Sequence, residues 1–295
     1  MSEPVVESHE YLTVRELAEL LRIKERKVYD LAASGEVPCS RATGKLLFPA
    51  TEIRAWIEKA KSGGEAGVSQ RPAIFLGSHD PLLDWAIRQS RCGLATYFDG
   101  SLDGLARFLA GEGVATGLHV FDAGTSSWNH PEVSRAAADQ NAVLLSFATR
   151  SRGIVFRPGG PKLKSMAELA GRRVVPRQQT SGTAGLFERL ARDNGLDLSD
   201  VTFTEVARTE DDAVQIVRHG DADATFGLAS VADTYGLSFL PVVEERFDLL
   251  IDRKAYFDPQ LQALISFCRS DAFRQRAKAS PGYDVREFGN IVWNA

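Results

Sequence analysis

Apolar positions near the start of the chain repeat at the spacing of a short helix. Leu17, Leu20 and Leu21 follow one another at helical intervals. In front of them, Thr13 and Glu16 have the three-residue spacing of a capping box, which marks where a helix begins. The pattern therefore predicts a first helix of about two to three turns.

A second helix is predicted after a turn at Arg22 and Ile23. Val28 and Leu31 give this helix an inward face, and Gly35 supplies the left-handed conformation in which many helices end. The outer face carries three cations and a tyrosine, namely Lys24, Arg26, Lys27 and Tyr29. Side chains of these types suit the phosphates and base edges of a DNA major groove.

A turn-rich stretch follows the second helix. Residues 37–38 and 46–48 flank a turn at residues 43–44, and this order predicts a short hairpin, or wing. Arg41 and Lys45 are the only clear cations of the wing. We expect both to contact DNA, although so little charge favours the second helix as the main contact.

A third helix is predicted from about Thr51, with Ile53, Trp56 and Ile57 facing the first two helices. The residue pattern leaves two interpretations open. One is a compact winged helix-turn-helix that binds DNA. The other is a small helical bundle whose charges are only solvated.

Composition changes at residues 61–71, where glycine, serine and charged residues indicate a flexible linker. After it, a short apolar strand followed by a polar turn recurs at residues 73–76, 118–121, 173–175 and 224–227. Helical segments between such strands predict an α/β domain with mostly parallel strands and helices on both faces. We therefore expect a DNA-binding domain over residues 1–60, a linker over 61–71 and a ligand-sensing domain over 72–295.

Small hydroxyl residues follow several of these strands, at the predicted starts of helices. In parallel sheets, ligands bind at the carboxyl ends of the strands, where helix N-termini point free amides outward. Amides and hydroxyls together form a donor-rich pocket that suits an oxyanion; alternatively, each serine or threonine only caps its helix. The predicted ligand-binding residues are Gly77, Ser78, His79, Asp80, Thr125, Ser126, Trp128, Arg177, Thr180, Ser181, Gly182, Thr183 and Ser230.

Three side chains, two of them in this set, have a further candidate role. Arg177 either binds an anion bidentately or pairs with a helix acid such as Glu188. His79 precedes Asp80, but no nucleophile with a plausible arrangement accompanies them, so a polar turn or a ligand contact is favoured over catalysis. His119 lies in an apolar strand and is interpreted as a hydrogen-bonded core histidine. We predict no catalytic residue, no metal site and no enzyme activity.

Composition limits the kind of protein further. Apolar residues make up 44% and charged residues 25% of the chain, and the net charge is -4, as in an ordinary globular protein. Any DNA contact must therefore come from a local patch. The acidic start lacks the apolar core of a signal peptide, no apolar stretch is long enough to span a bilayer, and Cys39, Cys92 and Cys268 are too far apart for a disulfide framework. We expect a cytoplasmic protein with no cofactor and no membrane partner.

Residues 12–58 resemble the excisionase and MerR-like winged helix-turn-helix family. The resemblance rests on Thr13, Glu16, Leu17, Ala18, Leu21, Val28, Tyr29, Gly35, Val37, Pro38, Phe48, Pro49 and Trp56. It implies that the second helix enters the major groove and that the wing contacts the backbone or the minor groove.

Residues from about 72 to 295 resemble the periplasmic-binding-protein-like (type II) domain of cytoplasmic regulators, which is related to molybdate-binding proteins and to LysR-type effector domains. The matching segments are residues 77–80, 119–122, 128–129, 131, 177–178, 181–183, 220–224, 227, 236–241, 244–249 and 281–284. The family has a glycine at the position of Thr180 and a tyrosine at that of Trp128.

This second resemblance implies two lobes with a ligand in the cleft between them. Lobe one would contain residues 72–148 and the end of the chain, and lobe two residues 152–245. The crossover strands would pass through residues 147–149 and 247–250.

Together the two resemblances imply a one-component transcription regulator that binds a double-stranded DNA operator as a homodimer or higher homo-oligomer. The implied effector is a small oxyanion, molybdate or tungstate first and a small organic acid next. Two alternatives remain open: an enzymatic or cofactor-handling domain with an inherited DNA-binding module, and an architectural factor that has lost ligand binding.

Overall fold

A computed structural model describes residues 10–41, 44–59, 71–160, 163–179 and 181–295. These residues divide into two compact units at the junction between residues 70 and 71. The expected linker lies outside the described residues except for Arg71, and Thr180 and the centre of the expected wing turn also lie outside them.

The first unit combines short strands with short helices. In chain order its described elements are β1 (Tyr11–Thr13), α1 (Val14–Leu21), α2 (Glu25–Ala33), β2 (Leu47–Pro49) and α3 (Ala50–Lys59). The predicted capping box is present, because Thr13 Oγ1 accepts from the Glu16 amide at 3.3 Å and Glu16 Oε2 accepts from the Thr13 amide at 2.7 Å. Leu17, Val28 and Ile53, one from each helix, are fully buried together, which confirms the predicted helix-turn-helix core.

The first unit differs from the sequence prediction in two places. Leu20, expected on the inner face of α1, is 53% exposed, because the buried positions of the helix are Leu17 and Ala18. Within the described residues, the expected hairpin consists of one bridge between Ser40 and Leu47, with backbone hydrogen bonds of 2.7 and 2.9 Å. Beyond this bridge, β2 pairs antiparallel with β1, a strand that the apolar pattern did not predict.

The second unit is an α/β structure. Its strands are β3 (Ile74–Gly77), β4 (Ala95–Phe98), β5 (Ala115–Leu118), β6 (Phe121–Asp122), β7 (Ser127–Trp128), β8 (Ala142–Phe156), β9 (Arg173–Val175), β10 (Thr202–Phe203), β11 (Ala224–Leu228), β12 (Ser238–Asp252), β13 (Tyr283–Asp284) and β14 (Ile291–Asn294). Its helices are α4 (Pro81–Ser90), α5 (Ser101–Leu109), α6 (His130–Ala136), α7 (Gly182–Asp193), α8 (Glu210–His219), α9 (Ala229–Thr234), α10 (Pro259–Cys268) and α11 (Asp271–Lys278).

Two long strands organise the main sheet of this unit, whose order is β10-β9-β11-β8-β12-β5-β3-β4. β8 and β12 lie antiparallel side by side along their whole lengths. On one side β12 continues into the parallel strands β5, β3 and β4, and on the other β8 continues into β11, which is parallel to β9 and β10. The chain therefore forms lobe one (β3–β7, α4–α6, α10, α11, β13, β14) and lobe two (β9–β11, α7–α9), joined by β8 and β12. The predicted crossovers lie inside these two strands.

Each lobe has its own apolar core. In lobe one, the rings of Phe247 and Phe273 lie 5.9 and 5.8 Å from that of Phe147. In lobe two, Phe187 and Phe226 are 5.6 Å apart. The β6–β7 hairpin of lobe one also packs Phe121 and Trp128 against the core of lobe two. Among the described helices, none has the length and apolar character needed to cross a membrane.

Candidate functional site

The outer face of α2 is a small cationic surface. Lys24, Arg26, Lys27 and Tyr29 are all exposed. None of the three cations pairs with an acid within the described part of the chain, so their charges are available to a partner. The wing residues Arg41 and Lys45 are exposed as well.

In the second unit, a cavity of about 40 Å³ lies between the two lobes. It is formed where β3, β5 and β9 end and where α7 and α8 begin. Five of the residues predicted from the sequence line it: Ser78, His79, Arg177, Ser181 and Thr183. The expected position of the site, at the carboxyl ends of the strands, therefore holds a cavity.

The hydroxyl groups at this cavity are engaged in local hydrogen bonds. Ser181 caps α7, where its Oγ accepts from the Ala184 amide at 3.2 Å and donates to the Gln178 carbonyl at 2.7 Å. Ser78 Oγ lies 2.8 Å from Ser101 Oγ. The serines thus fix the geometry of the loops around the cavity.

The lobes touch directly beside the cavity. Gln178 of lobe two donates from Nε2 to the Asp99 carbonyl of lobe one at 3.1 Å, and Arg208 Nη2 lies 3.4 Å from the Asp99 carboxylate. Gly182 packs so closely that a Cβ there would lie 2.6 Å from the His119 carbonyl oxygen. The contacts of Asp99 require that the lobes be closed, and the close approach of α7 to His119 requires a glycine at position 182.

A chain of buried ion pairs connects the lobes behind the cavity. Arg150, on β8, bonds to Asp80 Oδ2 at 2.8 Å and to Glu245 Oε1 of β12. Arg152, two residues further along β8, pairs through Nε with Glu245 at 2.9 Å and through Nη2 with Glu210 at 2.6 Å. Asp80 precedes α4 in lobe one and Glu210 begins α8 in lobe two, so the chain of charges runs from one lobe to the other through both shared strands.

The charges in this chain stabilise one another. Burial opposes the charge of Glu245, but the guanidinium groups of Arg150 and Arg152 outweigh it and hold the pKa of Glu245 well below its usual range. Glu210 is also buried, and Arg152 and Arg177 lower its pKa. Both carboxylates are therefore ionised at neutral pH.

His119 lies in this network as an uncharged group. Its Nδ1 is 3.1 Å from Glu245 Oε2, and burial lowers its pKa below the ordinary value. Its burial agrees with the interpretation of His119 as a core histidine. The residue follows β5 rather than lying in a strand, however, and its Nδ1 has no hydrogen-bond partner among the described residues. No cluster of three or more histidine, cysteine or acidic side chains suited to a metal ion occurs among the described residues.

Arg177 takes neither of its two expected roles fully. Its Nε donates to the Ala207 carbonyl at 3.1 Å and its Nη2 to the Arg208 carbonyl at 2.8 Å. The nearest acid is Glu210 at 3.9 Å, rather than Glu188. Burial lowers the pKa of Arg177, and the guanidinium borders the cavity.

Some predicted ligand residues lie elsewhere. Thr125 and Ser126 belong to the β6–β7 hairpin, where Thr125 Oγ1 donates to Asp122 at 2.9 Å. The ring of Trp128 meets that of Phe121 edge to face at 5.1 Å and packs against the core of lobe two. Gly77 and Gly182 are backbone neighbours of the cavity wall, and Asp80 caps α4. Ser230 lines another polar cavity, of about 380 Å³, which shares His79 with the first.

Sequence reasoning did not identify Arg150, Arg152, Glu210 and Glu245 as parts of the site. A signal existed, because Arg150 and Arg152 alternate with small residues in an otherwise apolar strand. Charges two residues apart on a buried strand share one face, and each needs a buried partner. Which acids supply those partners depends on the pairing of β8 with β12, which the sequence alone does not specify.

Comparisons with known proteins identify both parts of the chain. Residues 85–269 match a family model described as a PBP superfamily domain, and residues 11–61 match one described as a helix-turn-helix domain. YvgK of Bacillus subtilis (strain 168), itself uncharacterised, is 23% identical over 300 residues that cover 95% of this chain and 97% of YvgK. A Clostridium perfringens protein described as a phosphate ABC transporter substrate-binding protein, with bound phosphate, has 14% identity and a TM-score of 0.52 over 72% of this chain and 99% of that chain. The last similarity shows the fold alone.

The buried ion pairs make a stability prediction. We expect Glu245→Gln to lower the free energy of unfolding by about 3–5 kcal/mol, because Arg150 and Arg152 would stay buried without their shared carboxylate. The neighbouring Glu244 is exposed, so Glu244→Gln is the matched control and should change stability by less than about 0.5 kcal/mol. Urea unfolding measures both; equal stability of the two variants would contradict the role of Glu245.

A second prediction concerns pH. Burial raises the pKa of Asp248 to about 6, and its Oδ2 accepts from Asn129 Nδ2 at 2.7 Å. The folded protein therefore binds the proton of Asp248 more tightly than the unfolded chain does. Protonated Asp248 adds fully to the free energy of unfolding below the ordinary pKa of 3.8, and this contribution is lost as the pH rises through about 6.

Asp248→Asn keeps the hydrogen bond and removes the charge. The variant should be more stable than the wild type at pH 8, by up to about 3 kcal/mol, and the difference should shrink as the pH falls toward 5. Thermal unfolding midpoints from pH 5 to 8 measure this difference. Parallel curves for the two proteins would show that Asp248 does not titrate in this range.

Proposed function

Because the chain belongs to the PBP superfamily through residues 85–269 and joins this domain to a helix-turn-helix domain, we propose that it is a one-component, ligand-responsive transcription regulator. The first unit binds an operator, and the second closes on a small ligand. The observation that carries this proposal is the combination itself: an exposed cationic helix face and a two-lobed domain with a cavity between its lobes.

We propose a small oxyanion as the ligand. The cavity of about 40 Å³ is far smaller than the roughly 300–1,000 Å³ of pockets for drug-sized ligands. It lies at the N-termini of α7 and α8, whose amides and partial positive charges favour an anion. An organic acid of ordinary size would require a wider separation of the lobes.

The charged residues at the cavity balance one another. Arg177 and Arg208 are matched by Asp99 and Glu210, so the amides and the size of the site, rather than net charge, would select the anion. Molybdate and tungstate, which the resemblance to molybdate-binding proteins implies, are the preferred ligands, and phosphate is the natural comparison.

Closure would connect ligand and DNA binding. The contacts of Asp99 with Gln178 and Arg208 form only when the lobes are together, so an anion held by α7 and α8 would favour that state. In a homodimer, a change in the relative position of the lobes would alter the spacing of two α2 helices and thereby the affinity for a two-fold operator.

Calorimetric titration of the full chain with molybdate, tungstate, sulfate and phosphate tests the ligand. We expect molybdate and tungstate to bind at least tenfold more tightly than sulfate. Gly182→Ala should weaken this binding at least tenfold, because its Cβ would meet the His119 carbonyl oxygen and oppose closure. Gly185→Ala on the same helix, where a Cβ meets nothing within 4 Å, should bind like the wild type. No heat with any of the four anions would eliminate the oxyanion assignment.

A gel-shift assay on the chain's own upstream region tests the DNA interface. Replacement of Lys24, Arg26 and Lys27 by alanine should weaken binding by at least a hundredfold and reduce its salt dependence, because phosphate contacts are lost. The control replaces three exposed cations of the second unit, Arg274, Lys278 and Arg286, and removes the same charge. Unchanged binding by the α2 variant would exclude this helix as the recognition helix.

A further inference from the structure

Lobe two contains a cavity of its own, of about 330 Å³, between α7 and the loop that follows β10. Its walls are largely apolar and include Val175, Phe187, Leu198, Phe203, Val206 and Phe226. Its volume falls in the range of pockets that hold organic ligands, about 300–1,000 Å³. We propose that this cavity is a second ligand site, specific for a monocarboxylic acid with a compact apolar body.

The aromatic wall of the cavity accounts for the preference for a ligand with an apolar body. Phe187 lies between two other rings, 5.6 Å from that of Phe226 and 6.4 Å from that of Phe203. At the rim, Phe203 is 42% and Val206 57% exposed. Large apolar side chains exposed around a concave cavity are typical of a ligand site, and a hydrocarbon body between α7 and this loop would cover both.

Arg177 and the N-terminus of α7 account for the preference of this cavity for an acid. The guanidinium of Arg177 borders the cavity and uses Nε and Nη2 on the carbonyl groups of Ala207 and Arg208. Its Nη1 is 3.9 Å from Glu210 Oε1, which is too long for a hydrogen bond. Within the described residues that nitrogen makes its ion pair with Glu210 but no hydrogen bond, so it can still donate to one carboxylate, beside the positive N-terminal end of α7.

Arg177 is the one cation among the described residues that line the cavity, and the exposed Glu188 is the one acid, so a second negative charge on the occupant would meet no cation. A dianion would lack a second cation, and a hydrocarbon without the acid would leave Arg177 with its charge poorly solvated, since burial already lowers the pKa of this guanidinium. A monocarboxylate with an apolar body can contact the aromatic wall and form an ion pair with Arg177.

This site is separate from the oxyanion cavity and does not rest on the proposed oxyanion. The two cavities share Arg177 and Thr183 in their walls. An acid in lobe two and an anion in the cleft would consequently act on the same guanidinium, and any effect of one on the affinity of the other would be reciprocal.

Titration of the full chain with phenylacetate, and with 2-phenylethanol as the uncharged analogue, tests the proposal. Phenylacetate should bind with saturation and raise the unfolding temperature, and 2-phenylethanol should bind at least tenfold more weakly. Equal binding of the two compounds would overturn the role of Arg177, and no binding of phenylacetate would overturn the site.

Two variants locate the binding. Ala184 lines the cavity from α7, so Ala184→Leu should fill it and weaken phenylacetate at least tenfold. Gly185→Leu places the same side chain on the exposed face of that helix and should bind phenylacetate like the wild type. Val206→Glu, at the exposed rim, should repel the acid without disturbing the core and gives the same test if Ala184→Leu does not fold.

Phenylacetate binding that survives both Ala184→Leu and Val206→Glu would show that the compound binds elsewhere. An unfolding temperature that rises with protein concentration but not with phenylacetate would instead indicate that a second copy of the chain covers Phe203 and Val206. Either result would contradict the proposed site.

Discussion

The buried ion pairs between β8 and β12 are the constraint on which the two-lobed domain depends. Arg150 and Arg152 have no access to water, so each must keep its acids wherever the lobes move. Such pairs add little net stability compared with apolar packing, but a buried charge without its partner costs several kcal/mol. The register in which Glu245 meets both arginines is therefore strongly preferred. Because Asp80 and Glu210 complete the chain at the starts of α4 and α8, the same charges position the helices that face the cleft.

Closure of the cleft depends on a few contacts between the lobes, on the cavity side of these buried ion pairs. Asp99 accepts from Gln178 and Arg208 across the lobes, and Gly182 permits α7 to approach the backbone at His119. These contacts are few and partly exposed, so an anion that adds hydrogen bonds at the first turn of α7 could shift the balance between open and closed lobes. Strong buried ion pairs behind the cleft, together with few and partly exposed contacts across it, are the arrangement that a ligand sensor requires.

The sequence predicted the parts whose signals are local. The capping box at Thr13, the glycine after α2 and the apolar strands near residues 73–76, 173–175 and 224–227 depend on neighbouring residues, and the structure contains them. The strand predicted at residues 118–121 is wrong, because β5 covers residues 115–118 and ends where that strand was expected to begin. The pairs of Arg150 and Arg152 depend on strand pairing between residues almost a hundred positions apart, which no local pattern encodes. For Thr125 and Trp128 the local pattern instead predicted a ligand contact where the structure uses the side chain for packing or for a turn. Their polar and aromatic character suited a ligand, but the hairpin uses Thr125 for its own turn and Trp128 to pack on lobe two.

The central claim is that an anion in the cleft changes the affinity of the first unit for DNA. The most direct measurement is the anisotropy of a labelled operator fragment titrated with the full chain, with and without saturating molybdate, at constant ionic strength. We expect a change of at least fivefold in the dissociation constant, the lower end of ordinary coupling between sites, and none with Gly182→Ala. The same dissociation constant with and without an anion that calorimetry shows to be bound would contradict the account.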